Sequence, residues 1–313
     1  ASNQLGVIRQ LHYSNRTPDR SLDMVIAING IPVITMELKN PLTGQTVANA
    51  KGQYRKDRDS REILFEFKRR SLVHFAVDTE EAWMTTRLAG DSTHFLPFNK
   101  GFNHCAGNPP DQQGRSYRTA YLWEEVLQRD SLLDLLARFL HVQVEEKRDE
   151  DGRKYKKESL IFPRYHQLQA VRRLVDAARS EGVGQNYLIE HSAGSGKSNT
   201  IAWLAHRLSS LHDEQDQRIF DSVIVITDRR VLDQQLQDTI YQFEHRQGVV
   251  QKIDEDSRQL AEALENAIPI IITTLQKFPF VSRQLVKMAE ERHHQGTGLL
   301  HTRHFAVIID EAH

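Results

Sequence analysis

Asp23, Glu37 and Lys39 lie among apolar residues in the stretch 21–39, SLDMVIAINGIPVITMELK, which reads as two strands around a turn at Asn29-Gly30. Two acids and a lysine in such company suit phosphodiester hydrolysis. Hard carboxylate oxygens hold Mg²⁺, and a neighbouring lysine orients a water or offsets developing charge. Side chains alternate faces along a strand, so Glu37 and Lys39 share one. Asp23 joins them only under a condition. A tight two-residue turn pairs Ile28 with Ile31 and Asp23 with Met36, leaving Asp23 and Glu37 on opposite faces. One extra loop residue, or a bulge using Gly30, restores a common face. The chemistry thus predicts a break in the hairpin's register.

A second constellation lies far along the chain. In YLIEHSAGSGKSNTIAWLAHRL an apolar run enters a glycine-rich turn and then a helix. Gly194 and Gly196, with Ser195 between them, let the backbone fold tightly, so consecutive N–H groups face phosphate oxygens. Lys197 is placed to neutralise the β/γ-phosphates, and the Ser198 hydroxyl to ligate Mg²⁺. His191 stands where the pattern G-x4-G-K-[ST] has its first glycine. Downstream, HFAVIIDEAH is an apolar strand ending in Asp310 and Glu311. Asp310 suits Mg²⁺ through water, and Glu311 suits polarising the water that attacks a γ-phosphate.

The elements that must position these groups fall into two textures. Strands are predicted at 22–28, 32–38, 71–77 and 82–87, with a polar helix through 46–70 and a loop at 106–118. Apolar residues at helical spacing follow, from Leu132 to Leu140, with Ser131 as a helix start. Residues 145–158 are almost wholly charged and read as a solvated connector or hairpin tip. Beyond them helices at 167–180, 198–211 and 230–243 alternate with strands at 186–190, 222–227, 268–273 and 305–310, the signature of a parallel sheet with helices on its faces.

Asp310-Glu311-Ala312-His313 spells the DEAH box of superfamily 2 helicases and translocases, and the chain resembles that family from residue 159 onward. RYHQLQAV looks like its adenine-recognition segment, implying Arg164 and Gln167 as adenine contacts. VIVITDRRVLDQQLQDT and IIITTLQKF look like its next two blocks, which lie along the nucleic-acid face. That resemblance implies Arg229, Arg230 and Lys277 at phosphates, and Thr274 and Gln276 at backbone oxygens. Asp23 with Glu37-Leu38-Lys39 resembles the PD-(D/E)xK nuclease motif. The two together resemble the restriction (R, motor) subunit of type I restriction-modification enzymes over nearly the whole chain. That family carries a Gln-x3-Tyr element; Tyr54 is present and is implied at the DNA, but Ala50 stands at the glutamine position, with Gln53 adjacent. Lys51, Arg55, Lys56, Arg58 and Arg61 either track DNA phosphates or form a salt-bridged helix face with Asp57, Asp59 and Glu62.

The resemblance implies an α/β fold: a PD-(D/E)xK-like mixed sheet over 1–144, a charged linker at 145–158, and a RecA-like lobe over 159–313 with helices on both faces. It implies ATP and Mg²⁺ as cofactors, double-stranded DNA as substrate, and methylation and specificity subunits as partners. A helicase-nuclease of another defence or repair system, and a nuclease-dead DNA-binding scaffold, are the alternatives. Sequence beyond both ends is expected, because the family continues into a second motor lobe. The chain has 313 residues, enough for two domains, and a net charge of −1, so any DNA contact must come from local basic stripes. A single cysteine, Cys105, fits a reducing cytoplasm, and no apolar run approaches the roughly 20 residues of a membrane span. The fifteen histidines show no metal-type spacing.

Overall fold

The computed structural model describes every residue except 1–2, 104, 112–113, 115–116, 150, 193, 228–229, 244–247, 254–256, 277–302 and 311–313. The chain divides into two compact units, residues 1–166 and 167–313.

The first unit is built on a six-stranded sheet in chain order, β1 (Leu5–His12), β2 (Ser21–Ile28), β3 (Ile31–Leu38), β4 (Val73–Val77), β5 (Ala82–Thr85) and β6 (Leu96–Pro97). All neighbours are antiparallel except β3 and β4. A parallel pair requires a crossover, and α1 (Val47–Lys56) lies within it. Asp78, just after β4, accepts the Val47 N–H at 2.8 Å and so places a carboxylate at the N-terminus of α1. The face of α1 carrying Val47, Ala50 and Tyr54 packs with Leu22, Val25, Leu64, Phe65, Ala76 and Phe95.

The helix predicted through 46–70 stops at Lys56. The next buried apolar residues, Leu64 and Phe65, are adjacent rather than helically spaced, so they suit turns. The later helical stretch starts at Arg129 rather than Ser131: α2 (Arg129–Asp134) lies between π-helical turns at Leu122–Val126 and Leu135–Phe139, and the Ser131 hydroxyl donates to the Val126 carbonyl.

Most of the charged stretch 145–158 belongs to an antiparallel hairpin, β7 (His141–Arg148) and β8 (Lys154–Ile161). It needs no apolar face of its own. Backbone pairing carries it, and opposite charges face across it, Glu145 against Lys157 and Glu146 against Lys156. Strand β1, in the N-terminal stretch, was not foreseen from the sequence.

A buried polar chain starts from Thr35 on β3. The Thr35 hydroxyl is 2.8 Å from the Tyr54 hydroxyl and 2.8 Å from His74 Nδ1, all three side chains being buried. Thr35 has one proton to give, so Tyr54 donating to Thr35 and Thr35 to a neutral imidazole satisfies the chain. Burial pushes His74 down from 6.5 to about 3. The unfolded chain therefore binds more protons than the folded one between those values, and stability falls as pH drops from 6.5 toward 3. Urea unfolding across that range is expected to show a shallower decline for His74→Gln than for the wild type. Parallel curves would exclude a neutral buried His74.

The second unit takes up α3 (Tyr165–Glu181) from Gln167 onward, followed by α4 (Lys197–Ser209), β9 (Ser222–Thr227), α5 (Arg230–Gln242), β10 (Val250–Lys252), α6 (Ser257–Glu265), β11 (Ile270–Thr274) and β12 (Phe305–Ile309). The strands form a parallel sheet in the order β10-β11-β9-β12. Strand β9 is buried along its whole length, as the uninterrupted apolar run SVIVIT requires. The strand predicted at 186–190 is not formed: those residues join no ladder, and Leu188 is 79% exposed. Its apolar composition is strand-like, but a strand also needs a neighbour to pair with.

Candidate functional site

The hairpin of β2 and β3 contains the break in register that the chemistry demands. Ile28 pairs with Ile31 and Ala27 with Pro32, as a two-residue turn dictates; then Ile26 pairs with Ile34 and Met24 with Met36. Val33 is the extra residue. The bulge therefore falls on β3 after Pro32, not at Gly30, and Pro32 lacks the N–H that a regular ladder would use. The shifted register carries Asp23 opposite Glu37. Asp23 Oδ2 accepts the Leu38 N–H at 2.8 Å and lies 3.5 Å from Lys39 Nζ. Asp23, Glu37 and Lys39 thus meet at one place.

Glu37 is fully buried. Its Oε1 takes Arg58 Nε at 2.7 Å and Arg58 Nη2 at 2.6 Å, while its Oε2 is buried with no hydrogen-bond partner. Burial raises the Glu37 carboxyl from 4.5 to about 7, against the lowering pull of Arg58 and Lys39; the charge of Asp23 raises it further. An unpartnered carboxylate oxygen on a residue whose strand position is opposite Asp23 fits a hard divalent cation. Among the described residues no group of three or more His, Cys, Asp and Glu side chains could hold a metal. Mg²⁺ needs only one or two protein carboxylates, the rest of its shell being water and phosphate.

Two residues of this site were not foreseen in these roles. Arg58, read as either tracking DNA phosphates or joining a salt-bridged helix face, is buried on Glu37 and also donates to the Ser21 carbonyl at 2.7 Å and the Tyr13 hydroxyl at 3.2 Å. Gln10, on β1, adopts a left-handed φ of 49° at the point of β1 opposite Asp23. The Ser21 hydroxyl donates to its Oε1 at 2.8 Å, which turns its amide nitrogen toward Asp23 Oδ1 at 3.3 Å. Asn29, Lys68, Asn103, Asp216 and Ala267 also have positive φ, so the place of Gln10 in the site rests on its hydrogen bond to Asp23. Tyr54, expected at DNA, is fully buried and serves the core instead. The rest of the expected basic stripe disperses. Lys51 lies 3.8 Å over the Trp83 ring, Arg55 donates to the Thr93 carbonyl, and Arg61 pairs with Asp59. Lys56 is exposed.

In the second unit the glycine-rich turn takes the predicted form. Gly194 and Gly196 have φ of 73° and 86°, and Gly196 caps α4. Lys197 is the first residue of α4 and Ser198 the second, so the first-turn N–H groups face the loop. The Gly196 carbonyl accepts from the Gln167 amide at 2.9 Å, and a Cβ at Gly196 would lie 2.5 Å from that nitrogen. Gln167, expected at adenine, thus holds the phosphate loop. Arg164 belongs to the first unit. His191, Lys197 and Asp310 line one cavity of about 630 Å³, with Asp310 directly after β12. Parallel strands bring Thr227, Thr274 and Asp310 to the same end of the sheet, where ligands bind in this architecture. Ser195 is buried beside Gly196. Arg229, Lys277 and Glu311 lie outside the described residues, as do the side-chain surroundings of Arg230.

Two family models match the chain: "Type I restriction enzyme R protein N terminus" over residues 1–93 and "SWI2/SNF2 ATPase" over residues 166–313. The HindI type I restriction enzyme endonuclease subunit of Haemophilus influenzae is 25% identical over 100% of this chain and 28% of its own length. The chain's relatives are type I restriction endonuclease subunits. The SauCOLORF180P subunit of Staphylococcus aureus is 23% identical over 93% of the chain and 27% of its length, and the SsaAORF53P subunit of Staphylococcus saprophyticus is 29% identical over 49% and 15%. The chain spans about a quarter of the length of the first two. The restriction-enzyme match contains the whole β2–β3 hairpin, and the ATPase match contains the glycine-rich turn and Asp310. No helix among the described residues is long and apolar enough to cross a membrane.

Proposed function

We propose that the chain carries the nuclease and nucleotide-binding parts of a cytoplasmic type I restriction enzyme motor subunit. It uses ATP to translocate double-stranded DNA and cleaves it with Mg²⁺, alongside methylation and specificity subunits. The observation that carries this reading is the bulge at Val33, which sets Asp23 opposite Glu37 with one buried carboxylate oxygen unpartnered.

At the nuclease site Asp23 and Glu37 hold the cation. A Mg²⁺ held there would supply Lewis-acid chemistry to the phosphodiester and to a water. Lys39, only 11% exposed at its side chain, stabilises the charge that develops on the phosphate. The Leu38 N–H fixes one Asp23 oxygen and Gln10 orients the other. At the motor site Lys197 and the first turn of α4 bind the phosphates, and Ser198 and Asp310 hold the nucleotide's Mg²⁺. Glu311 orients the hydrolytic water, and Gln167 keeps the phosphate loop in shape through the Gly196 carbonyl. Lys56 in the first unit would meet a DNA phosphate, and Arg229 and Lys277 would do so separately in the second. The chemistry belongs to the PD-(D/E)xK nuclease class and the DEAH-box translocase class.

The test is ATP hydrolysis and plasmid cleavage by the protein with its methylation and specificity subunits, with Mg²⁺ and ATP each omitted in turn. Cleavage that needs both supports the proposal. Cleavage independent of ATP would remove the coupling, and ATP hydrolysis without any cleavage would favour a DNA-binding scaffold.

A further inference from the structure

The carboxylate site carries as many cations as anions. Asp23 and Glu37 face Lys39 and Arg58, and every member touches another. Arg58 is fixed rather than poised to leave. Its side chain is 2% exposed, two of its nitrogens lie on Glu37 Oε1, a third donates to Tyr13, and the guanidinium lies 5.6 Å from the Tyr13 ring centroid. Withdrawing it would leave Glu37 charged and buried without a partner, which is strongly unfavourable. Arg58 therefore stays while Glu37 offers its other oxygen, Oε2.

We infer that Arg58 is a charge-balancing residue that makes capture of a divalent cation by Asp23 and Glu37 depend on a DNA phosphate arriving with it. This rests on the nuclease reading and deepens it. With Glu37 ionised the two acids and two cations sum to zero, which gives a dication little return for shedding its water, and Mg²⁺ dehydrates reluctantly. A phosphodiester adds one negative charge and one oxygen ligand at the same point. The cation and the substrate then bind together, and neither carboxylate holds the ion in advance. Arg58 is here a positioning residue: it touches Glu37, not the substrate.

Mn²⁺ binding to the full-length protein, without nucleotide, tests this by electron paramagnetic resonance of the free ion, with and without a short DNA duplex. The Asp23→Asn variant marks which binding belongs to this site. In the wild type, duplex DNA is expected to tighten Asp23-dependent Mn²⁺ binding by about tenfold or more, and Arg58→Gln to give similar tightening without DNA. Arg58→Lys keeps the charge and is expected to keep the DNA requirement, separating charge from packing. Tight Asp23-dependent binding by the wild type without DNA would overturn the inference, whether or not Arg58→Gln folds. So would an Arg58→Gln protein of native stability that still needs DNA. If Asp23→Asn leaves Mn²⁺ binding with DNA unchanged, the nuclease reading falls with it. Loss of that binding in Asp23→Asn, alongside unaltered affinity in Arg58→Gln, sinks the Arg58 role alone.

Discussion

Glu37→Gln is expected to abolish DNA cleavage, by about a thousandfold or more, and to leave ATP hydrolysis at its wild-type rate. The substitution is chosen for its shape. Its amide oxygen still accepts from Arg58, so the buried guanidinium keeps a partner. The group replacing Oε2 is a donor and cannot ligate a cation. Glu37→Ala would confuse the result, because a buried arginine left unpaired costs about 3–5 kcal/mol of stability. Asp23→Asn and Lys39→Ala are expected to give the same separation for different reasons, the first removing a ligand and the second the charge beside the phosphate. Cleavage and ATP hydrolysis measured on the same preparations check all three. A variant that still cuts removes its residue from the site. A variant that loses both activities points to misfolding.

The opposite separation is expected from Lys197→Ala, which should lose ATP hydrolysis by about a hundredfold or more and lose cleavage with it. Lys197 is partly exposed at the start of α4 and lines the same cavity as Asp310. Surface positions of that kind usually change stability by less than about 0.5 kcal/mol, so unfolding is not the expected cause of the loss. Lost cleavage with intact hydrolysis would contradict the phosphate role. Lost hydrolysis with intact cleavage would show that cutting does not require the motor.

The glycine-rich turn was legible because its chemistry lies in one contiguous run, where Gly194 to Ser198 fix both backbone and charge. The hairpin was legible only in part. The strands and the Asn29-Gly30 turn follow from local composition, but the bulge at Val33 is a choice between two registers that local sequence leaves open. Arg58 and Tyr54 were misplaced for a related reason. Read locally, residues 46–70 form a polar helix whose cations face water. The helix ends at Lys56, and a partner far away in sequence, Glu37, then draws Arg58 inward. Gln10 could not have been found, since its part depends on a strand that was not foreseen and on a left-handed backbone at a glutamine. Residues 186–190 failed in the other direction, because apolar composition states a preference and pairing needs a neighbour.

Whether Asp23 and Glu37 share one ion is decided by anomalous diffraction from crystals of the protein grown with Mn²⁺ and duplex DNA. A single anomalous peak is expected within ligand distance of Asp23 and of Glu37 Oε2, with Arg58 still seated on Oε1. Glu37 contacting only Arg58, with manganese bound elsewhere on the molecule, would contradict a shared ion.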